Sequence, residues 1–99
     1  MKIYMFGGYV NNVYSSNRMF VISPKQFMPS KFVMEEVKVT GITPGPRLDH
    51  SMTSVSKDNK EIYVFGGILP HLDKRSNELW KFDVATSSWK LLTGSVNFD

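Results

Sequence analysis

At 99 residues, 41% hydrophobic and 13% aromatic, the chain is long enough for one modest core and no more. Its net charge of +3 comes from 12 Lys and Arg, spread from Lys2 to Lys90, against 9 Asp and Glu; the only adjacent basic pair is Lys74 with Arg75, which excludes the clustered basic face of a nucleic-acid groove. Without cysteine there is no disulfide, iron–sulfur or Cys-type zinc chemistry, and Gly and Asn interrupt the uncharged stretches that a spanning helix would need.

The first element, Ile3-Tyr4-Met5-Phe6-Gly7-Gly8, recurs as Ile62-Tyr63-Val64-Phe65-Gly66-Gly67, displaced by 59 positions with five of six residues identical. Successive side chains of a strand point to opposite faces, and here both faces are apolar, so each copy reads as a central strand covered on both sides. A second echo, Ser16 to Ile22 against Ser76 to Phe82, follows at a displacement of 60. After it, Ser23 to Phe32 reads as a long connection, and Phe32 to Val39 as a strand because of its β-branched valines and the following Thr40-Gly41.

The second unit resolves into four strands. His50 to Val55 alternates small and polar residues with Met52 and Val55, and the polar turn Ser56 to Lys60 joins it to the Ile62 strand as a hairpin. Ile68 to Ser76, with Pro70, reads as a polar loop. Glu78 to Val84 forms the third strand with Trp80 and Phe82 on one face, and turn-forming Asp83 to Ser88 leads to the last, Trp89 to Thr93. Short strands in units of four, repeating every 50 to 60 residues, point to a propeller blade.

Pro46-Arg47-Leu48-Asp49-His50-Ser51, the Phe-Gly-Gly at 65–67, and Phe82 followed seven residues later by Trp89 together resemble the successive signatures of a kelch repeat. The resemblance implies an all-β kelch-type β-propeller fragment, with about seven antiparallel strands in two blades of the four-stranded type. Residues 1–45 would be a partial blade lacking its innermost strand, and 46–99 a complete one. It also assigns structural roles to Gly7, Gly8, Arg47, His50, Gly66, Gly67, Phe82 and Trp89. The first unit departs from the pattern: counting by the offset places Pro29 where the family has its second aromatic, with Phe27 or Phe32 as substitutes.

In an up-and-down blade, the loop from strand two to strand three and the linker to the next blade emerge at the same end. This gathers Tyr9 to Ser16, Gly41 to Gly45 and Ile68 to Arg75, and rigid β scaffolds carry function on such loops. Tyr9, Asn11, Asn12, Tyr14, His71, Asp73, Lys74 and Arg75 are the candidate contacts for a protein partner, with Tyr14 and Arg75 favoured by residue type. The other expected partner is more of the propeller: self-association or the missing blades.

No catalytic or metal site is expected. A lone His50 beside Arg47 has no partner for acid–base work, His71 and Asp73 are the only near pair of ligand types, and the Gly pairs open no helix that could cradle phosphate. The expected function is a non-enzymatic interaction scaffold without a cofactor, in the cytoplasm. Two alternatives are a fragment of a larger kelch protein and a piece of a kelch-fold metalloenzyme, which would require converging His, Tyr, Asp or Glu ligands at the propeller axis.

Overall fold

A computed structural model of the chain describes residues 2–10, 14–25, 27–54 and 60–96. Their alternating apolar segments form two antiparallel sheets. The first is three-stranded, with order β1 (Ile3–Phe6), β4 (Met19–Lys25), β5 (Met28–Glu36). The second is four-stranded, with order β11 (Ser88–Thr93), β10 (Leu79–Asp83), β7 (Glu61–Phe65), β6 (Ser51–Ser54). Two ribbons of paired dipeptides rise from the connections: β2 (Tyr9–Val10) with β3 (Tyr14–Ser15), and β8 (Ile68–Leu69) with β9 (Lys74–Arg75). The fold is therefore all-β, open rather than closed into a barrel; among the described residues the two larger sheets comprise seven strands, and none in the first holds the position that β6 holds in the second.

The sequence repeat is also a repeat of register. Ile3 pairs with Ile22 and Phe6 with Met19 in the first sheet, as Ile62 pairs with Phe82 and Phe65 with Leu79 in the second. The ribbons match as well, and they locate the change of offset from 59 to 60: Tyr9 and Val10 precede Ile68 and Leu69 by 59, while Tyr14 and Ser15 precede Lys74 and Arg75 by 60. The extra residue lies in the second ribbon's tip. There Pro70–Leu72 makes a 3₁₀ turn closed by left-handed Asp73 (φ 52), whose N–H donates to the Pro70 carbonyl.

Burial, in contrast, is inverted between the copies. Phe6 is 5% exposed and its counterpart Phe65 is 51%, whereas Ile3 and Met5 are 47% and 44% exposed and their counterparts Ile62 and Val64 are 3% and 0%. One interface explains this. The Tyr4/Phe6/Met19 face of the first sheet packs against the Ile62/Val64/Trp80/Phe82/Trp89 face of the second, forming the core cluster. The Trp89 ring is its hub, 4.9 Å from Phe6, 5.0 Å from Phe82 and 6.4 Å edge-on from Trp80, in the tilted and T-shaped arrangements that ring quadrupoles favour.

Four expectations are corrected. The connection expected at Ser23 to Phe32 is mostly strand: β4 continues to Lys25 and β5 begins at Met28, leaving a short turn that contains Phe27 at φ 66. β4 can carry Pro24 because pairing with β1 ends at Ile3–Ile22, so beyond that point one side of β4 is an edge that needs no N–H donor. The fourth strand of the first unit accordingly spans Met28–Glu36 rather than Phe32 to Val39, and Val37 and Val39 pack against the core from the linker. Finally, Met34 faces Ile22 as Trp89 faces Phe82, so Met34 holds the position of the second aromatic, not Pro29, Phe27 or Phe32. Counting from a fixed offset fails because this hairpin is longer than its counterpart. Phe27 is 91% exposed and Phe32 54%, so neither fills the role of Trp89. The loop expected at Ile68 to Ser76 is likewise a paired ribbon.

The inverted burial gives a direct test on two identical residues of the repeat. In dilute solution, Phe6→Ala should cost about 3–5 kcal/mol of folding stability, while Phe65→Ala should cost less than about 1 kcal/mol. Urea denaturation followed by Trp fluorescence measures both, and equal losses would contradict the single interface.

Candidate functional site

The linker from β5 to β6 is bonded along its length. Val37 N–H donates to the Met19 carbonyl at 2.8 Å and Thr40 N–H to the Ser87 carbonyl at 3.0 Å, and the Asn17 amide donates to the Pro44 carbonyl at 3.3 Å. The chain then passes between the two Gly pairs. Arg47 N–H donates to the Ser16 carbonyl at 3.3 Å, and its own carbonyl accepts from Gly8 N–H at 2.8 Å. Leu48 exchanges both backbone bonds with Ile68, at 3.0 and 2.8 Å.

The side chain of Arg47 turns the other way. Fully buried, it donates from Nε to the Gly45 carbonyl (3.1 Å), from Nη1 to the Gly66 carbonyl (3.0 Å) and Ser76 Oγ (3.3 Å), and from Nη2 to Glu78 Oε1 (2.8 Å). One residue thus binds the first blade through its backbone and the second through its guanidinium. Burial pushes the Glu78 carboxyl up, but the hydrogen bond from Arg47 and its charge outweigh this, and the net displacement is below the ordinary carboxylate value. Ser76 Oγ completes the cluster, accepting from Glu78 N–H at 2.9 Å and donating to Glu78 Oε1 at 3.2 Å.

This close passage explains the glycines. At Gly7 (φ +76) a Cβ would lie 2.7 Å from the Arg47 carbonyl oxygen and 2.8 Å from His50 Cε1; at Gly67 (φ +101) it would lie 2.8 Å from the Leu48 oxygen. His50 is seated between them, its ring edge-on to Phe6 at 5.6 Å. Burial lowers its pKa, and the nearby Arg47 charge adds to this, against the opposing effects of a hydrogen bond with the Phe6 backbone and the Asp49 charge. Its Nδ1 is buried without a hydrogen-bond partner, so the ring sits as a neutral packing element.

The candidate contact residues lie mainly on the two ribbons. Tyr9 and Tyr14 contribute backbone to the first, and His71 to the turn of the second, against which β3 packs. Asp73, Lys74 and Arg75 are exposed there, beside half-exposed Leu72. Asn11 and Asn12 lie outside the described residues. In the expected third loop, Gly41, Ile42 and Thr43 are exposed but Pro44 is buried, and Gly45 lies under the Leu69 side chain. That loop therefore serves as an anchor at its second half. Among the described residues, no three His, Asp or Glu converge as metal ligands.

Glu78 and Ser76 were not singled out from the sequence, although both lie in the second echo. Ser16 matches Ser76 and bonds Arg18 N–H through Oγ at 3.0 Å, as Ser76 bonds Glu78. Arg18, however, stands where the second blade has Glu78, and it forms a bidentate pair with exposed Glu36 at 3.1 and 2.6 Å. That difference between the copies was the available signal.

Two outcomes follow from this geometry. Arg47→Ala strands a buried carboxylate and should cost about 3–5 kcal/mol, much of it regained in the double variant Arg47→Met/Glu78→Leu; a double-mutant cycle in urea reads the difference. The lowered pKa of His50 means that the unfolded chain takes up its proton first as pH falls. Its destabilising effect should begin as pH drops through about 6.5 and grow until the folded-state value is reached. The slope of Tm against pH between about 7 and 5 should therefore flatten in His50→Gln.

The family model described as the KLHDC2/KLHL20/DRC7 Kelch-repeats domain matches residues 1–97. Human Kelch domain-containing protein 3 is 28% identical over 91 residues, covering 89% of this chain and 23% of that protein. Human host cell factor 2 is 32% identical over 98 residues (89% of this chain, 12% of that protein), and Kelch repeat-containing protein 2 of Saccharomyces cerevisiae 35% over 86 residues (87% and 9%). The chain thus spans about a quarter or less of the length of these relatives. With two register-matched blades, the Gly pairs packed on the linker, and a family match over nearly its whole length, this chain belongs to the kelch-repeat family.

Proposed function

We propose that this chain is a non-catalytic protein-interaction module that meets its partner with the tips of the two ribbons. The observation that carries the reading is the placement of exposed Asp73, Lys74, Arg75 and Leu72 on a ribbon whose base is fixed by backbone bonds of Leu48 to Ile68 and of Ser76 to Gly67. Such a tip can vary in chemistry without disturbing the core, and its mixture of charge with an apolar residue suits a protein surface. Arg75 supplies one of the residue types enriched among those that carry interface energy, and Tyr9 and Tyr14 of the first ribbon supply another. The buried Arg47–Glu78 pair and His50, whose pKa burial lowers, hold the linker, which supports a structural use of these residues. The absence of cysteine accords with a reducing, cytoplasmic setting. The module acts within a larger kelch protein, as the small share of each relative that it spans suggests.

The double variant Lys74→Glu/Arg75→Glu tests this reading against Lys90→Glu on the outer strand β11. In quantitative affinity capture with mass spectrometry, proteins held by wild type and by Lys90→Glu should fall by about tenfold or more with the double variant, equivalent to roughly 1.4 kcal/mol. Equal capture by all three would overturn the assignment of this face.

A further inference from the structure

The hairpin that joins β4 to β5 stands at the end of the blades opposite the ribbons, and it is longer than its copy. In the second blade the corresponding pairing stops at Asp83 with Ser88, the level of Ser23 and Val33; in the first it continues to Lys25 with Met28. This extension is exposed on both sides. Phe32 lies on the side of β5 that carries Met34, away from the second sheet, and Lys31 on the opposite side, yet both are exposed. The blade that is present therefore does not cover the arm, and the exposure of its tip follows from the length of the hairpin.

At that tip Phe27 is 91% exposed, beside exposed Met28. Its φ of 66 is a left-handed conformation, which a bulky side chain adopts only at a cost and glycine adopts freely. An aromatic here neither relaxes the turn nor fills the core, so folding of the chain does not account for it. Lys25 and Lys31 flank it, both exposed, and among the described residues neither is in an ion pair. No Asp or Glu lies between Ser23 and Val33.

We propose that this arm is a second docking element, whose Phe27 tip inserts into an apolar pocket bordered by carboxylates on a partner protein. A few residues seated in well-packed pockets carry most of the energy of an interface, and an aromatic ring with two side-chain torsions loses little freedom on seating. The paired strands hold the ring clear of both blades, so it can enter a recess that a flat face could not. The two unpaired lysines set the charge of the rim: they favour an acidic border and oppose a basic one. An anionic bilayer is the weaker match, because recognition of that kind rests on clusters of about four to eight Lys or Arg. The arm and the ribbons lie at opposite ends of the blades, so the two surfaces stand or fall separately.

Photocrosslinking from the tip itself tests this. The chain with Phe27→p-benzoylphenylalanine is irradiated in its native cells, and the cross-linked residue is mapped by mass spectrometry; it should fall in an apolar pocket of another protein with Asp or Glu at its edge. Calorimetry with that protein, once purified, then compares variants. Phe27→Gly should weaken binding by about tenfold or more, Lys25→Glu/Lys31→Glu should weaken it and remove its salt dependence, and Lys74→Glu/Arg75→Glu should leave it unchanged. Because glycine relaxes the left-handed turn, Phe27→Gly should melt at the same temperature as wild type or higher, which separates a lost contact from a lost fold. Absence of a cross-link, a cross-link to another copy of this chain or to a basic surface, or unchanged binding by Phe27→Gly overturns the proposal. So does sedimentation of wild type, but not of Phe27→Gly, with vesicles of mixed phosphatidylserine and phosphatidylcholine.

Discussion

The position of the two blades depends on Arg47, whose main chain is bonded to one and whose side chain is buried in the other. The chemistry of the site explains why an arginine stands there. Gly66, Ser76, Glu78 and Gly45 present acceptors in different directions, and a planar guanidinium meets them with donors held in a rigid fork. The ammonium of lysine, with three donors at one point, could not reach the same spread. Burying the charge is costly in itself, and the ionised Glu78 carboxylate makes it tolerable. Such a cluster adds little net stability compared with an apolar filling of equal volume. Its contribution is selectivity: a shift of one blade along the other would leave a buried charge and several carbonyls without partners.

The glycines, His50 and the linker follow from that constraint. For Arg47 to bond Gly8 and Ser16 while its side chain reaches Gly66 and Glu78, the linker backbone must run within hydrogen-bonding distance of both Gly pairs. No Cβ fits at Gly7 or Gly67 under such an approach. His50 fills the remaining space between them, and its imidazole stays neutral because it is enclosed, with Phe6 on one side. Arg47 and His50, close in sequence, both take part in packing here, with His50 Nδ1 buried and without a hydrogen-bond partner.

Much of this was legible in the sequence, for reasons that can be stated residue by residue. The hexapeptides at Ile3 and Ile62 alternate over two apolar faces, which identifies central strands, and Phe82 and Trp89 pair across one hairpin because the turn between them is short. Strand pattern alone, however, does not reveal which face of a two-faced strand is covered in a given copy. Phe6 and Phe65 sit in near-identical hexapeptides, and their different burial depends only on which neighbour is present. The Met34 position was hidden because the β4–β5 hairpin lengthens both its strands, which breaks any count made from a constant offset. Glu78 was hidden for another reason. It is a charged residue just before β10, and its role exists only once the linker, 31 residues earlier, folds back against it.

The ribbons show how one repeat supplies both a fixed frame and a variable surface. Gly8 O accepts from Ser16 N–H at 2.8 Å and Gly67 O from Ser76 N–H at 3.0 Å, so each ribbon is closed at its base by the same Gly pair that the linker packs against. The bases are therefore constrained by blade packing, and equivalent residues occupy equivalent registers. The tip of the second ribbon escapes that constraint. It accommodates its additional residue by a 3₁₀ turn and left-handed Asp73, without any change in the pairing of Leu69 with Lys74 below it. A difference of length at a tip is thus absorbed within a few residues, whereas a single Cβ at Gly67 would collide with the linker that sets the blade angle. Sequence freedom and structural necessity are separated along one short ribbon, between its bonded base and its exposed tip.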